Sequence, residues 1–322
     1  MTLESEQSVT QLSPKVDQEP KITIKSNYLQ VWYRRLAFIT VFTPLLGTLI
    51  AIALLWHSRI GFIELGLFIG MYAITIFGVE VGFHRYFSHG AFQTTKTIRA
   101  LLAIFGSMAA QGGVIFWVTH HRRHHQFTDG PGDPHSPYLH GRGFRKQLEG
   151  FWHAHQGWML TGEVSNSLIF AKNLLGDPLI IKLNGLHHIW VLLGLALPTV
   201  LGGVLTRSWM GALNGFLWGG LVRIFVGQQI MFSTNSLCHG IGSRPFEVND
   251  RSTNVAWLAI PSWGQSWHNN HHAFQSSAIA GLKWWQIDPG TWAIRILERV
   301  GLVWNVKVPT EAMQKAKARV KA

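Results

Sequence analysis

Residues 36–56 read LAFITVFTPLLGTLIAIALLW, twenty-one positions without a charge. As a helix rising ~1.5 Å per residue, this stretch covers roughly the 30 Å hydrocarbon core of a bilayer. Pro44 is compatible with such a helix, because neighbouring helices re-satisfy the backbone groups that a proline frees. Similar runs follow at Ile60–Phe83, after the turn His57-Ser58-Arg59, and at Leu186–Leu205 and Trp209–Phe232, separated by Thr206-Arg207-Ser208. The chain is therefore expected to be an all-α integral membrane protein with spans near 36–56, 60–83, 186–205 and 209–232.

Composition agrees. Of 322 residues, 47% are hydrophobic and only 14% charged, against about 25% charged in an average soluble domain. A disordered chain and a coiled coil are excluded on that ground. The net charge of +12 does not indicate a nucleic-acid partner, because the bases flank apolar runs instead of clustering on a polar domain. Cys238 is the only cysteine, so neither a disulfide framework nor a cysteine-based metal cage is available. Residues 1–30 read as a polar, solvated tail without a cleavable signal, 31–308 as one membrane domain, and 309–322 as a basic C-terminal tail.

The turns at 57–59 and 206–208 hold one base each, Arg59 and Arg207, whereas Arg34, Arg35, Arg85, Arg122, Arg123, Arg142, Arg145 and Lys146 lie in the other segments. By the positive-inside rule both termini and the polar segments face the cytoplasm. Arg223 falls inside an apolar run and should face the bundle, not lipid. A further apolar run, Ala100–Val118, is rich in small residues and broken at Gln111-Gly112-Gly113. Hydropathy alone leaves it as a fifth span or as an interfacial helix.

The histidines decide between the two. Seventeen are present, and eight fall in three clusters: His84 and His89 in HRYFSH, His121, His124 and His125 in HRRHH, and His268, His271 and His272 in HNNHH. Positions i, i+3 and i+4 share one helix face, so three imidazoles can converge there. Positions i and i+5 lie about 140° apart on a straight α-helix, so the chain must end or bend at the first cluster. Asn235 and His239 sit at i and i+4 where the last span ends. Imidazole-rich sites suit Zn, Cu, Fe or Ni. Nine histidines are too many for one ion, which points to a dinuclear centre, with iron the natural redox metal. If all of them meet on one side of the membrane, Ala100–Val118 cannot cross.

These motifs, HRYFSH (84–89), HRRHH (121–125) and WHNNHH (267–272), with GDPHSP (132–137) after the second, resemble those of the membrane fatty-acid desaturase family, in its Δ9, stearoyl-type branch. The resemblance runs from about Trp32 to Val308. It implies four spans, a cytosolic helical cap, an interfacial helix near 100–118 and a non-haem di-iron centre with O2 as co-substrate. The implied ligands are His84, His89, His121, His124, His125, His239, His268, His271 and His272, with Asn235 acting through a water. Gln111 and Trp117 match residues that bend the acyl tunnel in that family. Two positions depart from it. Thr119-His120 replaces an Arg-Asp pair of the animal acyl-CoA enzymes, which weighs against a CoA thioester. Gln265 replaces a glutamate, removing a carboxylate that could orient a ligand histidine.

The expected activity is O2-dependent introduction of a cis double bond, at Δ9, into an acyl-lipid or acyl thioester. No glycine-rich dinucleotide motif, haem domain or four-cysteine cluster is present, so the electron donor must be a separate protein of ferredoxin or cytochrome b5 type. A hydroxylase would use the same ligands. A metal transporter is the rival of a different class, but transporters place ion ligands near the bilayer midplane, not at the ends of spans.

Overall fold

The computed structural model describes residues 21–55 and 60–319, so the turn at 57–59 lies outside the described residues. Four helices among these residues are long and apolar enough to cross a membrane: Asn27–Leu54, Phe62–Ser88, His187–Thr206 and Trp209–His239. Their outer faces present large apolar side chains, among them Phe38, Leu46, Leu192 and Val200. Only 17% of the third span's apolar window is buried within the protein, so most of that helix needs lipid around it.

The spans are longer than the apolar runs. The first begins at Asn27, capped by the Ser26 hydroxyl, and includes Arg34 and Arg35, which hydropathy placed outside it. The second and fourth have 27 and 31 residues, or ~40 and ~46 Å at 1.5 Å per residue. Both exceed a ~30 Å hydrocarbon core and project beyond it. They run in the same direction, so their C-terminal ends, carrying His84, His89, Asn235 and His239, emerge on one side.

Ala100–Val118 is not a single helix. Lys96–Ser107 and Val114–Phe127 are separate helices. Between them Ala110 and Gly112 adopt positive φ of 55° and 92°, and the chain turns instead of crossing. The helix Lys96–Ser107 lies against the end of the second span. A β-carbon on Gly78 would stand 2.1 Å from the Gly106 nitrogen, so only glycine permits this approach. Arg223 locks the turn from below. Fully buried, it donates to the carbonyls of Met108 (2.7 Å), Gly194 (2.7 Å) and Gly219 (3.1 Å). The apolar core beneath the cap joins Phe83, Phe87, Leu102, Val114, Ile115 and Val118.

The rest of the cap is irregular and largely helical. Among the described residues, one short ladder pairs Gln93–Thr94 antiparallel with Val303–Trp304. Residues near both limits of the described range dock on the cap. Ile24 donates to the Val164 carbonyl, and the helix Glu311–Lys317 is followed by a bridge from Ala318 to Phe246.

Candidate metal centre

The first histidine pair is aligned by a change of helix type. From Gly78 to Ser88 the second span is π-helical, and the His89 amide donates to the His84 carbonyl, five residues back. This wider turn brings residues five apart nearly onto one face, so both rings reach the site without a kink. The second triplet lies on the helix Val114–Phe127 and the third on the short helix His268–Ala273. His239 closes the fourth span.

Two groups of imidazole nitrogens result. His84, His89, His121, His125 and His271 form one, and His124, His239, His268 and His272 the other. In the first, Nε2–Nε2 distances are 3.0 Å for His84–His271, 2.7 Å for His89–His121, 3.0 Å for His121–His125 and 2.9 Å for His125–His271. In the second, His239 and His268 are 3.0 Å apart, while the buried Nε2 atoms of His124 and His272 have no hydrogen-bond partner.

Carboxylates stand behind four of the rings. Nδ1–H of His84 donates to Glu80 (2.9 Å), that of His124 to Asp133 (3.0 Å), that of His239 to Asp129 (3.1 Å) and that of His272 to Asp250 (2.8 Å). Each bond fixes the tautomer whose Nε2 lone pair points inward. Burial, reinforced by the neighbouring imidazoles, holds His121, His125, His268, His271 and His272 well below the usual imidazole range. They are neutral, with lone pairs free. Burial alone would raise the Asp133 carboxyl, but His124 against it keeps it below the usual carboxylate range.

Converging lone pairs repel unless a cation lies between them, so this arrangement fits metal ions. Nitrogens held ~2.1 Å from one ion stand ~3.0 Å apart at a right angle and ~3.4 Å apart at the tetrahedral angle. The distances of 2.7–3.0 Å are close to the spacing that neighbouring nitrogens on one ion would have. All nine histidines lie at the ends of spans or in the cap, away from a bilayer midplane.

A cavity of ≈ 530 Å³, counting its open mouth, ends against the first group. Its wall includes Gln111, Trp117, His121, Asn235 and Gln265, with His120, His135 and Trp158 also lining it. Trp117 stacks on His121 with centroids 4.8 Å apart and 24° between planes. Gln111 is buried with its Nε2 unpartnered. Gln265 does not fill the place of a histidine-orienting group. It is buried in the cavity wall with Oε1 unpartnered, and the orienting carboxylates come from elsewhere.

Several residues escaped the sequence reading. Asp129, Asp133 and Asp250 had no periodic signal, although GDPHSP contains Asp133 and His135. His135 stacks on His124 at 4.4 Å. The arginines of the boxes, counted there as cytoplasmic charge, are internal struts. Arg85 pairs with Glu80 and Asp288, both at 2.9 Å. Arg122 donates to the Phe87 and Ser88 carbonyls, and Arg123 to the Gly132 carbonyl and Glu163.

Fold and site together define a polytopic, histidine-rich protein with two imidazole groups that could hold metal ions and a cavity against one of them. The sequence profile of the fatty acid desaturase family matches residues 60–305, and the chain belongs to that family of oxidoreductases. It is 47% identical to the hex-5-enoyl-[acyl-carrier protein] acetylenase of Moorena producens (strain JHB), over 98% of this chain and 99% of that protein. Delta-9 acyl-lipid desaturase 1 of Arabidopsis thaliana is 38% identical, over 78% of this chain and 77% of its own. The sn-1 stearoyl-lipid 9-desaturase of Anabaena variabilis is 35% identical, over 72% and 79% respectively.

Proposed function

We propose that the protein is an O2-dependent fatty acyl desaturase with two irons, which introduces a cis double bond into an acyl chain carried by a lipid or a thioester. His84, His89, His121, His125 and His271 would hold one iron, and His124, His239, His268 and His272 the other, with Asn235 contributing through a water. The observation that carries this reading is the pair of converging, buried imidazole groups, one of which lines the end of the cavity.

Two adjacent methylenes offer no acidic proton, so side chains alone cannot remove their hydrogens. Iron, when bound, supplies the oxidant the protein lacks. One turnover consumes O2, two electrons and two protons, and yields the alkene and two waters. The chain's own residues do the rest. Trp117 and Gln111 shape the cavity so that one carbon pair lies against His121, and positioning of this kind is worth several kcal/mol. Glu80, Asp129, Asp133 and Asp250 hold the ligand rings in the required tautomer. Both termini and the centre face the cytoplasm on this reading, in keeping with the distribution of Lys and Arg. The electron donor is a separate protein of ferredoxin or cytochrome b5 type.

Placement of the double bond at Δ9 is supported by the Arabidopsis and Anabaena relatives. The near full-length match to an acetylenase favours a second reading, in which an existing double bond is dehydrogenated to a triple bond at the same centre. The test is expression in a host lacking both activities, supplied with saturated and monounsaturated chains, followed by mass-spectrometric mapping of new unsaturation. New Δ9 alkenes support the first reading and alkynes the second. Hydroxylated chains without new unsaturation refute both.

A further inference from the structure

The segment before the third histidine box reaches down beside the second span. In that span no Asp, Glu, Lys or Arg lies between Glu64 and Glu80, and Tyr72 stands at the middle of the uncharged stretch. The Tyr72 hydroxyl donates to the Pro261 carbonyl (2.6 Å), and the Phe77 ring packs against Trp263 with centroids 6.1 Å apart. Either glutamate is eight residues from Tyr72, or ~12 Å along the helix. The loop that carries Pro261 therefore lies at hydrocarbon depth, one tyrosine side chain from the middle of a span.

Its composition suits that depth. No Asp, Glu, Lys or Arg occurs between Arg251 and Lys283. Leu258, Ala259 and Ser262 are buried, whereas Trp257 and Ile260 are 66% and 60% exposed. Local bonds close much of the backbone. The amides of Leu258, Ala259, Ser262, Trp263 and Gly264 donate to carbonyls between Val255 and Ile260. The Pro261 carbonyl accepts from Tyr72, and the Trp263 carbonyl from the Arg85 guanidinium (3.2 Å). Irregular backbone survives in a bilayer only where its polar groups find such partners. Residues 252–263 are too few to cross, and apolar runs of this length enter and return.

The exposed aromatic surface continues around the loop. The Trp267 indole donates to the Ile287 carbonyl (2.8 Å) and packs on Trp285 with centroids 5.6 Å apart, and the Gly290 amide donates to the Trp263 carbonyl. Trp284, Trp285 and Trp292 are all exposed, as are the bases Lys283 and Arg299. Tryptophans beside bases are the composition of a membrane–water interface.

We propose that residues 255–263 form a re-entrant loop inserted into the leaflet on the side of the cap, with Trp257 and Ile260 against lipid acyl chains and Trp284, Trp285 and Trp292 at headgroup level. The partner of this surface is the bilayer, so the cap is held by lipid as well as by the four spans. The loop runs directly into Gln265, in the cavity wall, and His268, in the four-histidine group. Lipid contact thereby fixes the third box against the second span.

The test places the full-length, iron-loaded protein in nanodiscs of neutral phospholipid, with one fluorescent label on a single introduced cysteine. Cys238 is buried and stays unlabelled. Leu46→Cys, on the first span, is the lipid reference, and Lys315→Cys, on the helix Glu311–Lys317, the water reference; both positions are exposed. A phospholipid with a nitroxide on its acyl chain should quench the label in Trp257→Cys and Ile260→Cys as strongly as in Leu46→Cys. Iodide, an ion excluded from hydrocarbon, should quench these two roughly fivefold less than Lys315→Cys. Trp292→Cys should respond to both quenchers. Iodide quenching at 257 and 260 equal to that at 315 overturns the proposal. So does shielding of both positions from both quenchers, which would assign the surface to a second protein chain. If Trp257→Cys does not fold, Ile260→Cys carries the test, because its side chain is smaller and equally exposed. Absence of lipid quenching at Leu46→Cys would overturn the spans together with the loop, so the two failures are told apart.

Discussion

Replacing Trp117 by alanine tests whether the cavity wall, not the head group, fixes the position of the double bond. The indole is half-buried, stacked 4.8 Å from His121, and packed against Phe83 and His84 at 6.0 and 6.1 Å. Truncation of a fully buried tryptophan costs about 3–5 kcal/mol. Partial burial puts the stability loss for Trp117 at about 2–4 kcal/mol. The vacated space lets the acyl chain slide, and a displacement of ~1 Å can cost on the order of a hundredfold in rate. Trp117→Ala should therefore turn over roughly a hundredfold more slowly and scatter new double bonds over neighbouring carbons. Trp117→Phe keeps a ring against His121 and should retain one product with a loss under about tenfold. The assay is product mapping by mass spectrometry, with iron content measured on the same samples. A single unchanged position with normal activity would refute the reasoning. So would a single position with iron and activity falling together, because Trp117 would then act only by supporting His121.

The metal assignment predicts close to two irons per chain without acid-labile sulfide. His124→Ala should lower iron content and abolish turnover, and Asp133→Asn, which loses the carboxylate 3.0 Å from His124 Nδ1, should weaken iron binding about 10–100-fold with helix content unchanged by circular dichroism. Because Cys238 is buried, single cysteines can be introduced for a labelling scan, in which residues 57–59 and 206–208 should react only from the non-cytoplasmic face and 126–150 only from the cytoplasm. Arg223→Leu leaves three buried carbonyls unpaired, each costing about 1–3 kcal/mol, and a large fall in melting temperature in detergent is expected.

Much of this architecture was legible in the sequence because it rests on two strong periodic signals. Apolar runs near twenty residues define spans, and imidazoles at i, i+3 and i+4 define a shared face. The span limits were less legible. The first span starts nine residues before Leu36, where Tyr28, Arg34 and Arg35 occupy helix that leaves the hydrocarbon, and hydropathy reports lipid, not helix. The π-helical turn at Gly78–Ser88 was visible only as a geometric demand that an α-helix could not meet. The carboxylates were hidden because they approach through space: Asp129 reaches His239 from 110 residues away. Gln265 stands in the cavity wall, a placement that tertiary packing alone decides.

The same packing explains why the boxes carry arginine beside histidine. Each ligand group draws on segments far apart in sequence, so the rings converge only if the segments are fixed to one another. Arg85 joins the π-helical end of the second span to Asp288 and the Ala278 carbonyl, beyond the third box. Arg122 joins the second box to the carbonyls of Phe87 and Ser88, in the first. Arg123 joins the second box to Gly132, beside the Asp133 that orients His124. A guanidinium suits this role because its rigid fork can satisfy several carbonyls and carboxylates at once and remains charged when buried. Lysine at these positions would keep the charge, but it would lose the fan of directed donors that holds three strands of chain in register. The histidines form the two imidazole groups, and the arginines between them hold together the segments that carry those rings.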